Sequence, residues 1–326
     1  MSQESANQAP SLQGSHAATG DDAPIGGFDL LLYAGVVVSW SLSWYAIILQ
    51  LGVVSPEVSL VWRFLLAAFF MFAIVLLRRE PIRFPAKSHI YFAATGVFMF
   101  STNFLLFYHA GHYLVSGLLS VVFSLASIFN IAFAALFFGQ RPGIRTLSGA
   151  LMGVTGIALM FWPEIRNTSL AGGAGLGLAL CIGGTLCFCT GNMLSATMQR
   201  QKIPVLPATA WGMLYGTLMS AIYALVLGRP FIIEWTLVYL SSLVFLAAIS
   251  SVLAFACYLT LLGRIGSGRA AYATVMFPIL ALLVSTFLEG YAWSTLSIVG
   301  LVLALGGNVI VLARSQAKAR AASNHP

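Results

Sequence analysis

Ten apolar segments, each about 20 residues long, follow one another along this chain. A helix of that length and composition crosses the roughly 30 Å hydrocarbon core of a bilayer. Hydrophobic residues make up 59% of the 326 residues and charged residues only 8%, against about 25% charged in a soluble domain. The sequence therefore predicts an all-α integral membrane protein. It excludes an ordinary soluble enzyme, a nucleic-acid-binding protein and a disordered chain.

The distribution of basic residues tests this count of spans, because Lys and Arg concentrate in the cytoplasmic loops of membrane proteins. Of the 16 basic residues, Arg166 and Arg229 fall on one side and Arg63 falls within the second segment. The other thirteen share the opposite side: Arg78, Arg79, Arg83, Lys87, Arg141, Arg145, Arg200, Lys202, Arg264, Arg269, Arg314, Lys318 and Arg320. The alternation predicts ten transmembrane helices with both termini cytoplasmic. The predicted spans are 28–51, 56–77, 90–110, 115–138, 146–162, 175–197, 208–227, 236–262, 269–288 and 292–313.

The remaining segments and the cysteines predict neither a soluble domain nor catalysis. Residues 1–27 are polar and lack Lys and Arg, which predicts a disordered cytoplasmic tail, and residues 314–326 form a basic cytoplasmic tail. The cysteines lie in apolar segments without disulfide or metal-ligand spacing. No His-Glu-x-x-His or Gly-x-Ser-x-Gly motif occurs. We expect no enzyme activity, no metal and no cofactor.

The two halves of the chain share a repeat. Each half has five spans, an odd number, so the second copy must enter the membrane from the opposite side. Residues 28–162 and 174–313 are therefore predicted to form two inverted five-helix repeats, which is a transporter architecture. The coinciding landmarks, 151 positions apart, are Pro56 and Pro207, Ser116–Gly117 and Ser267–Gly268, Gly139 and Gly290, Gly149 and Gly300, and Gly156 and Gly307.

Four stretches carry a resemblance to a known family. They are WSLSWYAI (40–47), PEVSLVWR (56–63), SGLLSVVFSLASIF (116–129) and FPILALLVSTFLEG (277–290). With the ten spans and the spaced glycines, the chain resembles the EamA-type branch of the drug/metabolite transporter superfamily, and it is similar in kind to YddG-type amino-acid exporters. One departure is Ser127, which stands where the second repeat has Pro278.

The resemblance implies a secondary carrier that exports small metabolites by alternating access, with aromatic or other apolar amino acids favoured. It implies a bacterial-type cytoplasmic (inner) membrane, a small-molecule substrate and the lipid bilayer as partners, and a monomer that is sufficient for transport. An exporter of other drugs or metabolites is the alternative within this fold. A channel or an intramembrane enzyme is the alternative of another class.

Arg63 and two tryptophans are the first candidates for substrate binding. Arg63 lies about 10 Å below the outer end of its helix, and a buried Arg requires a partner. That partner is either a substrate carboxylate or a structural carbonyl. Trp40 and Trp44 lie one helical turn apart, with Tyr45 adjacent. They predict either an aromatic cavity wall or packing against neighbouring helices.

Other candidates are polar groups that need a hydrogen-bond partner in hydrocarbon. These are predicted either to line the central cavity or to bond between helices: Asn103, Tyr108, Ser124, Asn192, Ser251 and Tyr258. Tyr108 and Tyr258 are expected either to face each other across the repeat axis or to pack in the core. Pro278, in the middle of span 9, is a candidate hinge. His109 and His112 are either a proton relay or exposed loop residues.

Overall fold

The computed structural model of this chain describes residues 26–139, 143–167 and 173–323. Nearly all of the predicted disordered tail, together with residues 324–326, lies outside the described residues. The predicted basic tail continues the last helix as far as Ser323.

Ten helical spans make up the fold, and the described residues contain no strand. Nine spans are long and apolar enough to cross a membrane, and span 9 is a shorter apolar helix of 16 residues. These findings confirm the predicted all-α membrane fold. The spans are Gly27–Ile48 (span 1), Pro56–Leu77 (span 2), Ala86–Ala110 (span 3), Ser116–Phe138 (span 4), Ile144–Asn167 (span 5), Ala174–Arg200 (span 6), Val205–Val226 (span 7), the consecutive segments Leu237–Val244, Phe245–Leu253 and Ala254–Ala271 (span 8), Ala273–Leu288 (span 9) and Thr295–Ser323 (span 10).

Local sequence signals account for several span boundaries. Span 2 begins with Pro56, whose fixed φ suits the first helical turn and whose missing N–H is not needed there. Spans 4 and 9 are followed by Gly139 and Gly290, with φ of +65° and +71°. Because glycine adopts this left-handed conformation without a Cβ clash, these equivalent residues of the two repeats terminate equivalent helices.

The predicted turn between spans 8 and 9 is wrong. The sequence suggested a connection near residues 263–268, but the helix continues through Ala271 and is interrupted only at Tyr272. No proline lies between residues 254 and 271, and glycine weakens a helix without ending it. A single residue, Tyr272, therefore separates spans 8 and 9 along the chain.

Spans 5 and 10 form a two-fold contact through glycines. A Cβ built on Gly156 would lie 2.5 Å from the Gly300 carbonyl oxygen, and one built on Gly300 would lie 2.5 Å from the Gly156 oxygen. Gly149 and Gly307 contact each other in the same reciprocal way. Under the shift of 151 residues the contact of Gly149 with Gly307 becomes the contact of Gly300 with Gly156, so a two-fold axis relates the two contacts, and their order shows that the helices run antiparallel. The repeats are therefore related by inversion.

The same relation holds at other helix contacts. Span 1 packs against spans 8 and 9, span 6 packs against spans 3 and 4, and spans 2 and 7 pack against each other. The segments Gly96–Thr102 of span 3 and Phe245–Leu253 of span 8 both form wider, π-helical turns. The shift of 151 residues places the first segment within the second, so the repeat extends to an irregular feature of the backbone.

Two faces of the bundle are distinguished by the connections between spans. We call the face that holds connections 78–85 and 201–204 the basic face; there the Trp211 indole donates to the Ile82 oxygen at 3.1 Å. The opposite face holds connections 49–55, 111–115, 227–236 and 289–294. There Trp62 donates to the Ile232 oxygen at 2.9 Å, and Glu289 accepts two hydrogen bonds from the Ser116 N–H at the start of span 4.

The contact between spans 5 and 10 generates a stability prediction. Gly156→Ala should lower the free energy of unfolding by about 1–3 kcal/mol, because its methyl group would meet backbone atoms that cannot rotate away. Gly300→Ala should have the same effect, since the contact is reciprocal. Thermal unfolding of the detergent-purified protein measures both variants.

The matched control is Gly35→Ala in span 1, where an added Cβ meets nothing within 4 Å. This variant should unfold at the wild-type temperature or slightly above it, because alanine favours a helix over glycine. Equal losses for Gly35→Ala and Gly156→Ala would contradict the proposed role of the close contact.

Candidate substrate cavity

A cavity of about 440 Å³ lies near the middle of the bundle, within the about 300–1,000 Å³ typical of small-molecule sites. Spans 1 to 4 and 6 to 9 contribute to its wall, so both halves of the chain enclose it. Met198 and Val205 line its end near the basic face, where they flank connection 201–204. At its other end lie Trp44, Arg63 and Phe107.

Aromatic side chains form much of the cavity wall. The Trp44 ring lies 5.0 Å from Phe107 and 5.3 Å from Phe123 between ring centroids. The Trp40 ring lies 5.2 Å from Tyr258. Such distances are typical of aromatic pairs, which position one another as well as any ring placed between them. The wall therefore suits an apolar or aromatic solute.

Arg63 is the one charged residue among the described residues that line the cavity, and it is only 2% exposed. Its Nη2 donates to the Ser251 hydroxyl at 3.3 Å, and the Tyr108 hydroxyl is another polar neighbour. The guanidinium carbon lies 4.4 Å from the Phe104 ring centroid and 5.1 Å from that of Phe64. Nε and Nη1 have no hydrogen-bond partner in the described part of the chain.

Buried amides add polar groups to the same wall. Asn192 of span 6 donates to Asn130 Oδ1 of span 4 at 3.2 Å, so this pair joins two helices. Asn103 donates to the Met99 oxygen at 3.2 Å, and its own Oδ1 has no partner among the described residues. Ser124 donates to a carbonyl of its own helix at 2.6 Å. Of the three candidates only Asn192 bonds to another helix within the described residues, whereas all three line the cavity.

The repeat also organises the cavity. The π-helical turns of spans 3 and 8 both supply lining residues, as such turns often do at functional sites. Seven pairs of lining residues stand 151 positions apart, which means that the two-fold axis passes close to the cavity. The pairs are Trp44 and Ser195, Met99 and Ser250, Phe100 and Ser251, Phe104 and Phe255, Phe107 and Tyr258, Phe123 and Thr274, and Ala126 and Phe277.

Eight of the ten candidates for substrate binding lie at the cavity: Trp40, Trp44, Arg63, Asn103, Ser124, Asn192, Ser251 and Tyr258. Tyr45 and Tyr108 are not among the lining residues. Tyr108 is buried and donates to Gln50 Oε1 at 2.7 Å, between the cavity and the opposite face. The expectation that Tyr108 faces Tyr258 is wrong, because the residue equivalent to Tyr258 is Phe107.

A buried acid, Glu57, lies at the opposite face of the bundle. Glu57, at 1% side-chain exposure, accepts from His109 of span 3 at 3.1 Å and lies 3.8 Å from Arg229 of connection 227–236. We call these three residues the Glu57 cluster. Beside it, Ser59 and Tyr239 are joined by a hydrogen bond of 3.1 Å between spans 2 and 8. These contacts join the two halves at the opposite face.

The candidate relay and hinge residues lie as follows. His112 and His109 are 6.3 Å apart between ring centroids, and neither residue lines the cavity. Burial, and secondly the neighbouring His109, lowers the pKa of His112, which favours its neutral form. Pro278 lies inside span 9 and is buried. In span 4 the helix is interrupted at Ser124 and Leu125 without a proline.

Several residues at the site carry no signal in the sequence that would identify them. Phe107, Phe123, Phe188 and Phe277 complete the aromatic wall, but nothing local separates them from the other phenylalanines of the chain. Applying the 151-residue shift to Tyr258 would have identified Phe107. The sequence does not reveal the contacts of Glu57 either, since no local pattern indicates that a loop arginine covers it.

No group of three His, Cys, Asp or Glu residues suited to a metal ion occurs within the described ranges. The chemistry available at the cavity is therefore that of a cation, amides, hydroxyls and aromatic faces.

Curated relatives cover most of the chain. A probable amino-acid metabolite efflux pump of Salmonella typhimurium is 25% identical over 279 residues, covering 83% of this chain and 90% of that protein. The protein of the same description in Escherichia coli is 22% identical over 280 residues, with the same coverage. Protein PagO of Salmonella typhimurium is 21% identical over 288 residues, covering 87% and 93%.

A solved crystal structure shares the fold with a TM-score of 0.61 at 18% identity, covering 89% of this chain and 98% of that one. The sequence model of the EamA-like transporter family matches residues 28–162 and again residues 175–313. The two matches take in all ten spans and account for the two-fold relation between them. This chain belongs to the EamA-like transporter family.

Proposed function

We propose that this transporter is a secondary carrier that exports small metabolites, amino acids with aromatic or other apolar side chains foremost, by alternating access. The observation that carries the proposal is the aromatic cavity between the two halves, which reaches toward the basic face and is closed at the opposite face. In this proposal the protein lies in a bacterial-type inner membrane, with both termini and the basic face cytoplasmic.

The two repeats, residues 28–162 and 174–313, act in this proposal as the moving parts. A cavity on a two-fold axis opens to either face when one repeat rocks against the other, because the closed contacts of one state have equivalents in the other. Breaking the Glu57 cluster opens the opposite face. Pro278, whose ring removes one helical hydrogen bond from span 9, serves as a hinge.

The lining residues take complementary roles. The faces of Trp40, Trp44 and Tyr258 hold the apolar part of the solute, and Arg63 pairs with its carboxylate. The polar contacts come from Asn103, Ser124, Asn192 and Ser251. The names of the two efflux pumps described above support amino-acid metabolites as substrates.

Counterflow in proteoliposomes tests the proposed function. Vesicles preloaded with unlabelled L-phenylalanine should take up labelled L-phenylalanine transiently and saturably, and protein-free vesicles should not. A panel of polar amino acids should compete poorly, because the cavity wall is largely aromatic. The absence of saturable exchange for every amino acid tested would contradict amino-acid export and favour another metabolite in the same cavity.

Trp44→Ala should lower the counterflow of labelled L-tryptophan about tenfold, because it removes a buried aromatic contact worth roughly 1.5 kcal/mol. Counterflow of L-leucine should fall less. The matched control is Trp235→Ala, whose side chain is 80% exposed in connection 227–236. An unchanged preference for aromatic solutes in Trp44→Ala would remove Trp44 from the binding site.

Glu57→Gln should make the cavity more accessible from the opposite face. A cysteine placed at Ser124 in a cysteine-free background reports this accessibility through labelling by a membrane-impermeant maleimide. The labelling rate should rise about fivefold, the equivalent of one lost interaction of ~1 kcal/mol.

The control for this measurement is Glu234→Gln, which changes a half-buried glutamate in connection 227–236 that bonds only locally, to Thr236. Its labelling rate should equal that of the wild type. Equal rates for Glu57→Gln and Glu234→Gln would show that the Glu57 cluster does not hold the opposite face closed.

A further inference from the structure

No carboxylate balances the charge of Arg63 in the described part of the chain, where its neighbours are neutral hydroxyls and aromatic rings. No ion pair joins it to a carboxylate, although Glu57 stands six residues earlier on the same helix and pairs with His109 and Arg229 instead. Two guanidinium nitrogens, Nε and Nη1, also lack hydrogen-bond partners. A buried guanidinium in this condition is costly in hydrocarbon, and an anion with two acceptor oxygens satisfies both its charge and its donors.

No acidic residue balances this cation anywhere on the described cavity wall. The lining residues include neither Asp nor Glu. A solute ammonium would find only neutral acceptors, such as the unpartnered Oδ1 of Asn103, or the faces of aromatic rings. A neutral amide oxygen accepts a hydrogen bond from a hydroxyl as well as from an ammonium, so it does not require a charged donor. The cavity therefore recognises a carboxylate by charge and makes no comparable demand for an amine.

We propose that the ligand class of this cavity is aromatic and apolar monocarboxylates of net negative charge, with the ammonium group of an amino acid dispensable. The inference rests on the proposed function and narrows it. In this arrangement the carboxylate lies at Arg63 near the closed end of the cavity, and the ring lies among Trp40, Trp44 and Phe123. Deaminated relatives of aromatic amino acids, the 2-oxo, 2-hydroxy and unsubstituted acids, belong to this class.

The charge of the solute has a consequence for the driving force. Arg63 remains in the protein through the cycle, so each anion that crosses carries one negative charge out of the compartment. A membrane potential that is negative inside drives that movement outward without a coupled ion. Transport of the anion is therefore electrogenic, whereas transport of a zwitterionic amino acid is not.

A matched ligand series tests recognition by binding alone. L-Phenylalanine, 3-phenylpropanoate, 2-phenylethylamine and 3-phenylpropanol share the ring and differ in charge. Quenching of tryptophan fluorescence in the detergent-purified wild-type protein reports their affinities. The propanoate should bind within threefold of L-phenylalanine, and the amine and the alcohol should bind about 30-fold more weakly, because each lacks the charge-assisted contact to Arg63. Binding of the amine with equal or higher affinity than the propanoate would overturn the proposal.

Substitution of Arg63 tests the named contact. In Arg63→Gln the propanoate and the alcohol should bind equally, whereas in Arg63→Lys part of the difference should return, because the charge remains without the planar fork. The control is Arg78→Gln at the basic end of span 2. Persistence of the full difference in a folded Arg63→Gln protein would overturn the assignment; should that variant not fold, the wild-type series and Arg63→Lys decide.

Voltage tests the charge that moves. Proteoliposomes with valinomycin and a tenfold potassium gradient, positive inside, should accumulate labelled 3-phenylpropanoate about tenfold, since each anion moves one charge. Labelled L-phenylalanine should equilibrate without accumulation. The same propanoate level with and without the gradient would overturn electrogenic transport. L-Phenylalanine counterflow without binding or exchange of the propanoate would overturn this inference alone. The predicted binding order without counterflow of any solute would support the ligand class and overturn the proposed carrier.

Discussion

The close contact of spans 5 and 10 is the constraint on which the rest of the structure depends. Without a hydrophobic driving force between helices in lipid, association relies on packing, and backbones approach most closely where glycines face each other. This close approach occurs twice along spans 5 and 10, where Gly149 meets Gly307 and where Gly156 meets Gly300. The contact joins the halves at spans that contribute no lining residue, so the remaining eight spans are free to enclose a cavity.

Closure of the cavity at one face follows from where polar groups meet across the halves. On the opposite face a loop arginine, a histidine and a buried glutamate come together, and hydroxyls of spans 2 and 8 bond beside them. On the basic face, Arg264 of span 8 is hydrogen-bonded to Asp29 of span 1. Each face thus has a charged contact between halves, and the cavity ends beneath one of them.

Much of the fold could be predicted from the sequence because hydrocarbon imposes strict requirements on length and polarity. The apolar runs and the alternation of basic residues gave the ten spans, and span 2 begins and ends at its predicted residues. The end of span 8 at Ala271 could not be predicted, since the glycines and arginines that suggested a turn near residue 265 occur both in loops and in helices. The inverted repeat was visible because its landmarks are Gly and Pro, whose roles depend on the backbone and not on neighbours.

The site was harder to predict than the fold. Eight of the candidates line the cavity, because a polar or tryptophan side chain inside a span needs a specific environment. The phenylalanines that complete the wall carry no such requirement and pack equally well against lipid. The Tyr108 hydroxyl donates its hydrogen bond to Gln50 and not to a group in the cavity, and this contact depends on a distance that the sequence does not give. The contact of Glu57 with Arg229 likewise depends on the path of connection 227–236, which follows span 7.

The seven repeat-related pairs of lining residues divide the cavity by chemistry. In five of them the first half supplies an apolar side chain and the second half supplies a hydroxyl: Trp44 and Ser195, Met99 and Ser250, Phe100 and Ser251, Phe107 and Tyr258, and Phe123 and Thr274. The scaffold is symmetric, yet the surface that meets the solute is not. Under the export proposed above, with Arg63 near the closed end of the cavity, an amphipathic solute would enter from the basic face with its charged head leading and leave at the opposite face head first, without turning round.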